Sequence, residues 1–159
     1  ANKWGYYGSG TANNALAGNT RFGGVTAPVA TVDVTGSIAA TTSILSSGAT
    51  SGIGYTTGSG NTVTQITSRT TGVTINAING AITLVSAAGS AAWQSFTVTN
   101  SAMAATDRVI PDQKSGTDLY QIHITNRAAG SFQITYATTG GTTTEQPVFG
   151  FSIIKGVEA

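Results

Sequence analysis

After Thr62 the chain breaks into short runs in which apolar and polar residues alternate, the period of a strand with one buried face. Phe96 and Val98 share a parity in "WQSFTVTN"; so do Tyr120, Ile122 and Ile124 in "LYQIHITN", Phe132, Ile134 and Tyr136 in "SFQITYA", and Phe149, Phe151 and Ile153 in "PVFGFSIIKG". "DRVIPD", Asp107 to Asp112, adds a further run. Val73, Ile75 and Ala77 alternate with Thr74 and Asn76, and Ala81 and Thr83 with Ile82 and Leu84. The dipeptide Asn79-Gly80 lies between these two runs and predicts a hairpin. No segment carries a helical period over three turns, and "SAMAATD" is at best one or two turns within a loop. About eight antiparallel strands, each with a single apolar face, must cover those faces against one another. The predicted fold is all-β, a jelly-roll-like antiparallel β sandwich spanning 62–159.

The preceding residues read differently. Residues 1–27 are rich in Gly, Asn and Ala, without a period of 2 or 3.6, and carry Trp4, Tyr6, Tyr7 and Phe22. An extended N-terminal arm and a disordered tail are the two readings. Four aromatics favour the arm, with those side chains as docking anchors on a partner surface. Residues 28–50 contain β-prone text, with Val32 and Val34 alternating with Thr31, Asp33 and Thr35, and 51–61 form a Gly/Ser/Thr linker.

Composition narrows what such a domain does. Only 8% of residues are charged and the net charge is +1, against roughly 25% charged in an average soluble domain. The solvent face is therefore built from Thr, Ser, Asn, Gln and Gly, a surface with little repulsion to keep copies apart. Seven basic residues scattered from Lys3 to Lys155 make no phosphate-binding stripe, so nucleic acid is not an expected partner. No apolar run approaches the roughly 20 residues of a membrane-spanning helix. The absence of Cys excludes disulfides and thiolate chemistry.

Candidate chemistry is sparse. "GIGYTTGSGNTVTQ" is glycine-rich, but Gly52, Gly54 and Thr57 break the dinucleotide spacing, no Lys lies between Lys3 and Lys114, and a strand follows where a helix would hold phosphate. His123 is the only histidine, and its parity sets it opposite Tyr120, Ile122 and Ile124 on an outer face. That is unsuited to a catalytic relay or a multi-histidine metal site. No paired carboxylates stand out, so neither catalysis nor a cofactor is expected. "DRVIPDQKSGTD" gathers Asp107, Arg108, Asp112, Lys114 and Asp118 in neutral surroundings. Calcium binding competes there with a solvated or salt-bridged loop at a subunit contact. Lys114 and a spacing unlike an EF-hand favour the contact loop. Trp93 is out of phase with Phe96 and Val98, which points it outward to a sugar-stacking role, whereas the usual burial of Trp favours a core or interface position.

Five ordered stretches, "GIGYTTGSGNTVTQ", "TTGVTINAINGAIT", "FTVTNSAMAATDRV", "AAGSFQI" and "FSIIKGVEA", resemble the recurring text of a family of small tailed-bacteriophage virion proteins. The likeness covers roughly two-thirds of the chain. It departs at "DRVIPDQKSG", where a charged, proline-bearing turn stands in place of an apolar strand. The resemblance implies a virion structural protein made in the host bacterial cytoplasm. Its first form is a capsid decoration (cement) protein that binds the major capsid protein and itself, as a dimer or trimer. The alternative is a fibre or spike module binding a host receptor or glycan.

Overall fold

The structure is a computed structural model that describes Ser43, Gly52–Tyr55 and residues 58–156. The chain divides into two units, Ala1–Ala49 and Thr50–Ala159, and the architecture below belongs to the second. The expected arm with its four aromatic anchors, and the β-prone segment 28–50 apart from Ser43, lie outside the described residues.

Ten strands form in chain order: β1 Gly60–Thr64, β2 Val73–Thr74, β3 Asn79–Thr83, β4 Ala87–Ala88, β5 Gln94–Thr99, β6 Arg108–Ser115, β7 Tyr120–Ala128, β8 Ser131–Thr138, β9 Thr144–Glu145 and β10 Val148–Ile154. No helix occurs among the described residues. The strands pair into a first sheet of order β1-β3-β10-β6, a second of order β2-β5-β8-β7, and a two-stranded β4-β9. The side-chain alternation read from the sequence is the alternation observed. Phe149, Phe151 and Ile153 of β10 are at most 2% exposed, as are Phe132, Ile134 and Tyr136 of β8. These rows meet in one core. Phe132 stands edge-on to Phe151 at 5.1 Å, and Tyr136 to Phe149 at 5.2 Å, so the aromatic interior draws on both four-stranded sheets.

The pairing is not wholly antiparallel. β1 runs parallel to β3, with Gly60 opposite Asn79 and Thr64 opposite Thr83, and β2 runs parallel to β5. The cause is the path of the chain. Between β1 and β3 it passes through β2 in the second sheet, and between β2 and β5 it passes through β3 in the first. Each excursion returns the chain to a sheet travelling in the same direction, the crossover that a parallel pair requires.

The same path overturns the hairpin expected at Asn79-Gly80. These residues open β3, whose partners are β1 and β10, while the preceding β2 belongs to the other sheet. Gly80 does not take positive φ. Its glycine identity answers to packing, since a Cβ there would stand 2.9 Å from the Asn61 carbonyl oxygen, 2.9 Å from Phe151 Cε1 and 2.5 Å from Ile75 Cδ1. The tight hairpin lies instead between β7 and β8, where Ala128 pairs with Ser131 and Gly130 adopts φ +80° at the second central position of the turn.

The alternating run at "DRVIPD" is a strand as expected, and it continues through the charged, proline-bearing turn that the departure from the resemblance implied at "DRVIPDQKSG". β6 runs through Pro111 and pairs with β10 from Arg108 opposite Ile154 to Ser115 opposite Val148, with a bulge near its end. β6 is the last strand of its sheet, and an edge accepts a residue with no N–H to donate.

Gly80→Ala should lower stability by about 1–3 kcal/mol, because the backbone of β1 cannot withdraw as the tip of Ile75 can. Thermal unfolding followed by far-UV circular dichroism measures it. An unchanged midpoint would show that β1 does not press against β3.

Candidate functional site

Of the five charged residues singled out between Asp107 and Asp118, two are internal. Asp107 is fully buried. Its carboxylate accepts hydrogen bonds from the backbone N–H of Ala104 (2.8 Å) and Gly156 (3.2 Å) and from Lys155 Nζ (2.5 Å), fastening the end of β10 to the turn that precedes β6. Burial alone would raise the Asp107 pKa, but the hydrogen bond from Lys155, with those from the two backbone amides, outweighs it and holds the carboxyl below its ordinary value. Asp118 is 6% exposed and accepts the Thr143 N–H at 2.8 Å; Gly141 is packed so closely against its carboxylate that a Cβ would collide. These two acids are turned inward, where they brace the fold. Among the described residues no group of three or more His, Cys, Asp or Glu could hold a metal ion.

A second buried centre lies beneath the small β4-β9 sheet. The Arg69 side chain, 4% exposed, donates from Nε to the Val85 carbonyl (2.9 Å), from Nη2 to Ala87 (2.5 Å) and Glu145 (2.6 Å), and from Nη1 to the Tyr120 hydroxyl (3.0 Å) and Ala88 carbonyl (3.4 Å). The Tyr136 hydroxyl donates to the Arg69 carbonyl at 2.9 Å. Burial pushes the Tyr136 hydroxyl far above the ordinary tyrosine pKa against the opposing pull of Arg69, and burial raises Tyr120 as well, so both remain neutral donors. Glu145 accepts from the N–H groups of Thr117 and Asp118 and from Tyr120; burial would raise its pKa, and these bonds together with the Arg69 charge bring it below the usual carboxylate range.

The other three singled-out charges do reach the surface. Arg108, Asp112 and Lys114 are exposed at alternate positions of β6, on the outer face of the first sheet. Ile110, 50% exposed, shares that row and lies opposite Ser152 of β10, next to Ile154, also 50% exposed. Ile53, 75% exposed, and Tyr55 complete a groove of about 580 Å³ with Asn79, and the Tyr55 hydroxyl donates to the Ile153 carbonyl. The glycine-rich opening stretch therefore has a visible task here. It lays Ile53 and Tyr55 over the outer face of a sheet. Beside this groove, Asp112 and Lys114 flank a trough floored by Ala81 and Gly150.

Sequence reading missed the apolar half of this surface. Ile110 and Ile154 each follow a core residue, Val109 and Ile153, and in a strand one of two adjacent apolar residues must face out. That parity was the available signal. On the second sheet, His123 faces out as expected, while Trp93 is 54% exposed and takes no core position. No family model, curated protein or solved structure matches the chain.

Because the folded Asp107 and Glu145 carboxyls titrate below their unfolded values, the stability they contribute is complete above the ordinary carboxylate pKa and is lost as pH falls through the lowered one. Asp107→Asn should be destabilised by about 1–3 kcal/mol near neutrality, and the gap from wild type should narrow below about pH 4. Urea unfolding at several pH values measures it. A gap that widens on acidification would contradict the assignment.

Proposed function

We propose that the chain is a bacteriophage virion structural protein, most specifically a capsid decoration protein that binds the outer surface of the major capsid protein and stabilises adjacent capsomers. It associates with further copies of itself and carries no cofactor. In this reading its β domain is a jelly-roll-like sandwich used as a passive scaffold, and the protein resides in the virion.

The observation that carries the reading is the outer face of the first sheet. Four large side chains, Ile53, Tyr55, Ile110 and Ile154, are at least 44% exposed there, bordered by Arg108, Asp112 and Lys114 on a chain with few charges. An apolar centre with a polar, mixed-charge rim is the anatomy of a protein–protein contact. A repeated shell protein needs only a modest patch per copy, because many linked contacts act together. The five ordered likenesses to virion proteins supply the setting, and the buried polar centres, where Arg69 and Asp107 are each held by several hydrogen bonds, support a scaffold in preference to a catalyst.

Quantitative protein staining of purified particles should give hundreds of copies per virion. A handful per virion would contradict the decoration role and favour the fibre or spike alternative. Ile110→Asp and Ile154→Asp should each weaken rebinding to stripped particles by about tenfold or more, a loss of at least about 1.4 kcal/mol. Their unfolding midpoints should stay close to wild type, since both side chains are half in solvent. Undiminished rebinding by both variants would remove this face from the interface.

A further inference from the structure

The second sheet presents a different outer face. Facing out from β5, β8 and β7 are Ser95 and Thr97, Gln133 and Thr135, and Gln121, His123 and Thr125, a row without Asp, Glu, Lys or Arg. Thr135 stands between Ser95 and His123 in one cross-strand row, and Gln133 lies beside Thr97 in the next. Every member other than His123 carries a hydroxyl or an amide that can both donate and accept.

Across one end of this ladder lies an aromatic pair. Trp93 immediately precedes β5, and its ring centroid is 5.4 Å from that of His123 on β7, with the planes tilted by 59°. β8 separates β5 from β7, so the strands bearing the two rings are roughly 9–10 Å apart and the side chains must lean toward each other over β8. Ala137, the outward-facing residue of β8 on the row that Trp93 continues, has no bulk to obstruct them and is only 5% exposed. The indole is held by a neighbouring ring and still half open to solvent. The six other aromatic side chains in the strands of this domain, Phe96, Tyr120, Phe132, Tyr136, Phe149 and Phe151, are all buried.

The polar side chains are also ordered in advance. The register between β7 and β8 shifts between Ile124 and Asn126, leaving Thr125 as an extra, unpaired residue. Such a bulge re-aims a side chain. Here Thr125 Oγ1 lies 2.6 Å from Thr135 Oγ1 and donates to Gln133 Oε1 at 3.0 Å. Groups fixed in this way lose little rotamer freedom when a ligand arrives.

We propose that this face, with Trp93 as its platform, binds a segment of neutral polysaccharide. The C–H face of a sugar ring stacks on an exposed indole, and its hydroxyls pair with side chains that both donate and accept. The scarcity of charge disfavours anionic polymers, whose recognition needs Arg or Lys. From the Trp93 row to the Thr97 and Gln133 row is four residues along a strand, roughly 13 Å. That exceeds a single sugar ring and selects a chain. The proposal is independent of the capsid contact, which uses the opposite sheet.

The test is affinity electrophoresis of the full chain through native gels cast with an α-glucan, a β-glucan or a galactomannan, with alginate as the anionic control. Retardation by at least one neutral polymer and not by alginate is expected. Trp93→Ala should weaken it by about tenfold or more and Trp93→Phe by less, a loss of at least about 1.4 kcal/mol for the alanine variant. Ile110→Asp, on the other sheet, should be retarded as strongly as wild type when each is compared with its own mobility in a polysaccharide-free gel, so failure of the capsid contact and failure of this site are separable. Unfolding midpoints of the Trp93 variants near wild type would confirm that the fold survives. Passage of the wild-type chain unretarded through all three neutral gels would overturn the proposal, as would equal retardation of Trp93→Ala. So would a concentration-dependent dimer, seen by sedimentation, that Trp93→Ala abolishes, because the face would then belong to a second copy.

Discussion

A buried guanidinium is the constraint on which one end of this fold depends. Removing a cation from water costs several kcal/mol even after relaxation, and the cost is met only if its hydrogens find acceptors. Arg69 reaches four carbonyl oxygens, those of Val85, Ala87, Ala88 and Glu145, and the hydroxyl of Tyr120. Those acceptors lie in β4 and β9, in the segment leading from β3, and in β7, so a single side chain fixes where the small sheet sits over the end of the core. At another point Asp107 performs the converse task, a buried anion gathering two backbone amides and Lys155. Between these centres the interior is aromatic and aliphatic.

This arrangement explains why the outer faces are free to differ. The core residues and polar braces lie inside, so the outward residues of the two four-stranded sheets are under different constraints. The first sheet exposes isoleucines beside alternating charges, while the second exposes hydroxyls, amides and one indole. In the role proposed above, the first face would hold to the shell and the second would meet the surroundings.

The strands that form the heart of the core were legible because their rule is local. In β5, β7, β8 and β10 the alternation of Phe, Tyr, Ile and Val is enough to assign an inside, and His123 followed from the same parity. What was hidden depended on long-range pairing. Asn79-Gly80 has the local chemistry of a turn, yet Gly80 is there to let β1 and Phe151 approach. The charge cluster from Asp107 to Asp118 looked uniform in sequence, but the fold turns Asp107 and Asp118 inward and leaves Arg108, Asp112 and Lys114 outside. Arg69 gave no local signal, because its acceptors lie from 16 to 76 residues away.

The central claim is that Arg69 is structural, and its replacement tests this most directly. Arg69→Met retains bulk and removes all five donors, stranding buried carbonyl groups and leaving Glu145 without its neighbouring positive charge. Equilibrium urea unfolding should show a loss of about 3–5 kcal/mol relative to wild type. A variant as stable as wild type, or more stable, would contradict the account.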